Sequence, residues 1–121
     1  MIRRLLALLH RPRTVTAAEA HQAVASGGAV LLDVREPSEW RAGHAPQARH
    51  VVLSKLQDRL GDLPADRRIV TVCRSGRRSA IAANTLIRHG YTATNLTGGM
   101  NAWAGAGLPV IANSGGPGQV I

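Results

Sequence analysis

The chain has 121 residues and a mass of 12.8 kDa, enough for one hydrophobic core and too little for two. A composition of 45% hydrophobic and 18% charged residues excludes a disordered linker, and no apolar run approaches the ~18 residues a membrane span needs. The net charge of +8 comes with only two Trp and one Tyr to stack bases and with no nucleic-acid-binding motif, so nucleic acid is not an expected partner.

In chain order, residues 1–13 read as a basic amphipathic extension. Ile2, Leu5, Leu6 and Leu9 share a helical face until Pro12 stops the pattern. A helix packed on the domain, a membrane-surface helix and part of a targeting peptide all fit this segment. The domain itself is expected over residues 14–112. Thr14-Val15 reads as a brief edge strand, and Thr16 with Glu19 forms a capping box for a helix running to about Ser26, which Gly27-Gly28 ends. Ala29–Val34 is a continuous apolar run of strand length, the signature of a strand buried on both faces. Glu36–Arg41 reads as a short helix with Pro37 in its first turn, followed by a strand near Arg49–Leu53 and a segment whose Leu56, Leu60 and Leu63 share a face.

Arg68–Cys73 is a second buried strand, rich in β-branched residues. A polar loop leads to a helix over Ser79–His89, with Ile81, Ala82 and Leu86 expected in the core and Gly90 as its stop. Thr94–Leu96 makes the last strand, Gly98-Gly99 opens a final helix through Trp103, and the glycine-rich residues 113–121 read as a flexible tail. Regular alternation of strands and helices predicts a parallel sheet with helices on both faces.

The charge is unevenly spread. All seven acidic residues lie between Glu19 and Asp66, and from Cys73 onward there are four arginines and no acid. Three of those arginines, Arg74, Arg77 and Arg78, lie within five residues of the single cysteine. One cysteine cannot close an internal disulfide, which points to a reducing, cytoplasmic setting. Parallel sheets place their sites at the carboxyl ends of the strands, and Cys73 is the last residue of an expected central strand. The residues Cys73-Arg74-Ser75-Gly76-Arg77-Arg78 then wrap a helix N-terminus, where successive backbone N–H groups form a cradle for an anion and favour thiolate over thiol. Gly76 supplies the backbone freedom that such a ring requires. A packing cysteine would account for Cys73 alone, not for this setting. The five histidines (His10, His21, His44, His50, His89) show no ligand spacing, so neither a metal nor a cofactor is expected.

These residues resemble the single-domain rhodanese-like sulfurtransferases. The resemblance spans nearly all of 14–112: Leu32-Asp33-Val34-Arg35-Glu36 with Trp40, then Gly43-His44-Ala45-Pro46, the loop Cys73–Ser79, and Gly98-Gly99-Met100-Asn101-Ala102-Trp103 with Gly107-Leu108-Pro109-Val110. It departs at Gln47-Ala48, where many relatives carry a glycine. The resemblance implies an α/β fold, an open five-stranded parallel sheet flanked by helices on both faces. It implies that Cys73 accepts a sulfane sulfur from thiosulfate or a similar anionic donor and passes it, as a persulfide, to cyanide, a thiol or a protein acceptor. Arg74, Ser75, Gly76, Arg77, Arg78 and Ser79 would hold the donor. By the same resemblance Asp33 and Arg35 are structural and Trp103 is a packing residue.

Two other functions compete. A sulfur-carrier or regulatory binding module with little free turnover would keep the same loop. A cysteine phosphatase or arsenate reductase uses a seven-residue ring with arginine six residues after the cysteine; here Ser79 holds that place and Arg78 comes one residue early.

Overall fold

A computed structural model describes residues 12–121. The helix expected over residues 2–9 lies outside them. Among the described residues, five strands form one sheet: β1 (Arg13–Val15), β2 (Ala29–Asp33), β3 (Arg49–His50), β4 (Arg68–Val72) and β5 (Ala93–Leu96). Four α-helices flank it: α1 (Ala17–Ala25), α2 (Pro37–Ala42), α3 (Arg77–Arg88) and α4 (Gly99–Gly105). The strand order is β1-β5-β4-β2-β3 and every pairing is parallel, as the strand–helix alternation predicts.

Strands β2 and β4 lie at the centre, paired from Ala29 with Arg68 to Asp33 with Val72. Their side chains alternate between two core layers. Leu32, Val34, Ile69 and Cys73 face one side with Ala82, Ala83 and Leu86 of α3. Leu31, Val70 and Val72 face the other, with Ala17 and Ala20 of α1 and Met100 and Trp103 of α4. A strand covered on both sides loses its polar alternation, which is why AVLLD and RIVTV are readable as buried strands. No helix among the described residues is long and apolar enough to cross a membrane.

Three local features differ from expectation. The strand expected over Arg49–Leu53 pairs only at Arg49 and His50, because from Leu53 the chain turns into two 3-10 segments, Leu53–Lys55 and Gln57–Asp62. Leu56 between them and Leu63 just after them are still buried, so the apolar spacing reported the face correctly without an α-helix. Helix α3 begins at Arg77, two residues before the expected Ser79, and its buried face is Ser79, Ala82, Ala83 and Leu86. Ile81 lies on the opposite side and is 57% exposed, which corrects its assignment to the core.

The segment 113–121, expected as a flexible tail, folds back onto the domain. Gln119 N–H donates to Ala42 O at 2.9 Å, Gly118 N–H to Val110 O at 3.0 Å, and Val120 packs on the core layer of Trp103. Gly118 is there for space: a Cβ on it would come within 2.8 Å of Gly43 Cα. A glycine-rich composition has two physical meanings, freedom and close approach, and at Gly118 it is the second.

Beneath α2 the buried ion pair Asp33–Arg35 ties the end of β2 to the following loop. Arg35 Nη2 donates to Asp33 Oδ2 and to Gly43 O, both at 2.7 Å, and Nε donates to Asp33 Oδ1 at 3.0 Å. Both residues are fully buried, so these bonds, not solvent, compensate the charges.

Candidate active site

The site grows from the carboxyl end of β4. Pairing stops at Val72, and Cys73 is the first residue of a short loop that Gly76 closes. Gly76 has φ +118°, a left-handed conformation that side-chain-bearing residues rarely adopt. This turn brings its own N–H to 3.1 Å from Cys73 Sγ and starts α3 directly beneath the sulfur. The Ser79 hydroxyl, one turn into α3, lies 3.2 Å from Sγ on its buried side.

The loop is held from a third direction by α4. Met100 N–H donates to Cys73 O at 2.8 Å and Asn101 N–H to Arg74 O at 3.1 Å. Gly99 must be a glycine for this contact, since a Cβ there would sit 2.5 Å from Arg74 O and against Cys73 O. From β5, Asn95 donates through Nδ2 to Gly76 O at 3.0 Å and accepts through Oδ1 from the Ser79 hydroxyl at 2.6 Å.

Burial is the largest influence on the Cys73 thiol, and it opposes ionisation. Hydrogen bonds from the Ser79 hydroxyl and from the backbone N–H groups of Ser79, Gly76 and Ser75 outweigh it, so the thiol ionises below the ordinary cysteine range. A helix starting under the sulfur adds the positive end of its dipole. The first turn of α3 carries Arg77 and Arg78 and no acid, the reverse of what helix stability favours. Such an arrangement suits a passing anion better than it suits the helix. Cys73 is only 1% exposed, so the sulfur offers little surface to bulky reagents.

The candidate residues separate into three groups. Cys73, Gly76 and Ser79 meet at the sulfur. Arg74, Ser75 and Arg77 are exposed, with the Ser75 N–H still turned to the sulfur. Arg78, half-buried, turns to α2, where Nη1 and Nη2 donate to the Glu39 carboxylate at 2.6 and 2.9 Å. The Arg78 guanidinium holds the Glu39 carboxyl below its usual range, and Glu39 in turn raises the pKa of Arg78. Ser79 is fully buried beside the sulfur, unlike Arg74, Ser75 and Arg77.

Sequence reasoning missed Asn95, Glu39 and the packing role of Gly99. Asn95 left one trace, a residue with poor strand propensity in the middle of a buried strand. No group of three His, Cys, Asp or Glu side chains among the described residues is arranged to hold a metal ion.

Residues 16–106 match the family model of the rhodanese-like domain. A sulfurtransferase from Allochromatium vinosum is 40% identical over 87 residues, covering 71% of this chain and 81% of that protein. The fold is similar to that of a rhodanese-related protein from Thermoplasma volcanium, with 29% identity, a TM-score of 0.76, and coverage of 82% of this chain and 97% of that one. It is also similar to part of a thiosulfate sulfurtransferase from Pseudomonas aeruginosa, with 27% identity and a TM-score of 0.77 over 84% of this chain and 20% of that one. With residues 16–106 matched, the cysteine loop at the end of β4 lies within a rhodanese-like domain, and the chain belongs to that family.

Proposed function

We propose that the protein is a sulfurtransferase of the thiosulfate type working through a persulfide on Cys73. The observation that carries this reading is the sulfur itself: the Ser79 hydroxyl, the N–H groups of Ser75, Gly76 and Ser79, and a helix N-terminus converge on Sγ and lower its pKa. The thiolate attacks the sulfane sulfur of thiosulfate, the Sγ–S bond forms, and the S–S bond of the donor breaks with its electron pair leaving on sulfite. The charge now resides on the outer sulfur. Cyanide or a thiolate then attacks that atom, the S–Sγ bond breaks, and its pair returns to Cys73.

The ring favours sulfur over phosphate. A phosphoryl group needs a guanidinium facing its oxygens, whereas Ser79 is buried and Arg78 is bonded to Glu39. The exposed Arg74 and Arg77 fit a small anionic donor, and they fit an acidic face on a protein that loads or unloads the cysteine equally well.

Incubation with thiosulfate should add one sulfur atom to the intact protein, about 32 Da, reversed by cyanide. The Cys73→Ser variant should show neither loading nor turnover. Persistent turnover in that variant refutes the assignment, and loading without turnover on cyanide moves the protein to the carrier reading.

A further inference from the structure

Beneath the loop, one hydroxyl hydrogen has two acceptors within reach. Ser79 Oγ lies 2.6 Å from Asn95 Oδ1 and 3.2 Å from Cys73 Sγ. Ser79 is fully buried and Asn95 nearly so. The orientation of the Asn95 amide is fixed at its other end. Its Nδ2 donates at 3.0 Å to the Gly76 carbonyl, which can only accept, so Oδ1 faces Ser79. A serine hydroxyl carries one hydrogen, so a full hydrogen bond from Ser79 to Asn95 and one to the sulfur compete.

We propose that Asn95 is a positioning residue acting through Ser79: it holds the Ser79 hydrogen while Cys73 is a neutral thiol or carries an added sulfur, and yields it to Sγ when that atom becomes a thiolate. This deepens the sulfur-transfer reading and rests on it. With the thiol protonated, S–H points to Ser79 Oγ, Ser79 to Asn95 and Asn95 to Gly76, a chain of donors running one way. With the thiolate, the hydroxyl turns to Sγ and Asn95 Oδ1 loses its donor, a cost set against the gain at the sulfur. Once the thiolate has bonded the sulfane sulfur and sulfite has left, charge sits on the outer atom and Ser79 returns to Asn95. When an acceptor takes that atom and the bonding pair returns to Sγ, Ser79 swings back to the emerging thiolate. One rotation of one hydroxyl thus follows both halves of the cycle.

Among the described residues, the neighbouring elements bring these charged groups toward the sulfur. From α3, Arg78 interacts coulombically with Cys73 and is bonded to Glu39 of α2. Arg74 and Arg77 are exposed, and Asp33 on β2 is neutralised by Arg35. Strands and helices carrying Asn95 and Met100, β5 and α4, contain no ionisable side chain.

The test uses the unloaded protein and no sulfur donor. The pH midpoint for alkylation of Cys73 by iodoacetamide is measured in the parent, Asn95→Ala, Ser79→Ala and the double variant. Removing the competing acceptor commits Ser79 to the sulfur, so Asn95→Ala should lower the midpoint by about one pH unit. In the Ser79→Ala background the same change should move it by less than about 0.2 units. If Asn95 only braces the loop, its loss frees Gly76 and raises the midpoint equally in both backgrounds; that result, or no shift at all, overturns the proposal. Asn95→Leu removes the same acceptor while filling the space, and replaces Asn95→Ala in the comparison if the alanine variant does not fold. A protein that fails to gain sulfur from thiosulfate, yet shows the Ser79-dependent shift, would refute the transfer reaction and leave the hydroxyl switch standing.

Discussion

Gly99→Ala is the sharpest test of how the scaffold shapes the loop. The added Cβ would lie 2.5 Å from Arg74 O and 2.6 Å from Arg74 C, both backbone atoms that no side-chain rotation can relieve. Gly99 also has φ +58°, where alanine costs about 1–2 kcal/mol. Relief requires α4 to move off the loop, which breaks the Met100–Cys73 and Asn101–Arg74 bonds at 2.8 and 3.1 Å. Each leaves a carbonyl short of a partner at about 1 kcal/mol or more. The sum is about 3–5 kcal/mol, a large share of the ~5–15 kcal/mol that keeps a domain folded, and corresponds to a fall in Tm of roughly 10–20 °C. Calorimetry reads the Tm, and alkylation at fixed pH reads whether the surviving loop still activates Cys73. Gly105→Ala is the control, since nothing lies within 4 Å of its Cβ and its φ is negative. A Gly99→Ala protein melting within about 3 °C of the control, with the parent's alkylation rate, would refute the close-approach argument.

Three further outcomes are expected. Because the native Cys73 thiol ionises below the unfolded value of about 8.5, it adds stability that is complete above that pH and is lost as pH falls through the lowered native value; urea midpoints of parent minus Cys73→Ser should therefore rise with pH across that window. Replacing Arg74 and Arg77 together with alanine should lower kcat/KM for thiosulfate several-fold at low salt and flatten its salt dependence, while alkylation by a neutral reagent changes far less; unchanged low-salt kcat/KM would turn attention to an acidic protein partner. Asp33→Asn leaves the fully buried Arg35 without its counter-charge and should destabilise the fold by about 3–5 kcal/mol, read from denaturant midpoints.

Much of the fold was legible because burial leaves a pattern that needs no neighbours to read. Ala29–Asp33 and Arg68–Val72 are apolar on both faces, and their buried pattern follows from lying at the centre of the sheet. Cys73, Gly76 and the helix start were legible for a similar local reason, since a strand end, a glycine and a helix follow within a few residues. What escaped depends on distant pairs. Glu39 and Arg78 are 39 positions apart, and Asn95 lies 16 residues beyond Ser79, so no window contains both partners. The same limit explains residues 113–121, whose partners Ala42 and Gly43 lie far earlier in the chain. Local composition describes what a segment is able to do; only the closed fold decides which of its freedoms is used.

The distant contacts also decide which polar groups of the loop face the sulfur. A loop of peptide units carries as many carbonyls as N–H groups, and a cradle forms only if the carbonyls are turned away. Here Cys73 O is taken by Met100 N–H, Arg74 O by Asn101 N–H, and Gly76 O by Asn95 Nδ2 and Ala80 N–H. Three of the four carbonyls between Cys73 and Gly76 are thus engaged by β5, α3 and α4. The N–H groups of Ser75, Gly76 and Ser79 remain to act on the sulfur. The positive character at Sγ is therefore built into the backbone by its neighbours, before any arginine is counted. It follows that losing the rim charges should weaken capture of the donor, whereas losing the α4 partner of the Cys73 or Arg74 carbonyl should weaken the thiolate itself; Gly76 O keeps Ala80 N–H when Asn95 is removed. The two kinds of damage separate experimentally as a change in salt dependence and a change in the pH midpoint of alkylation.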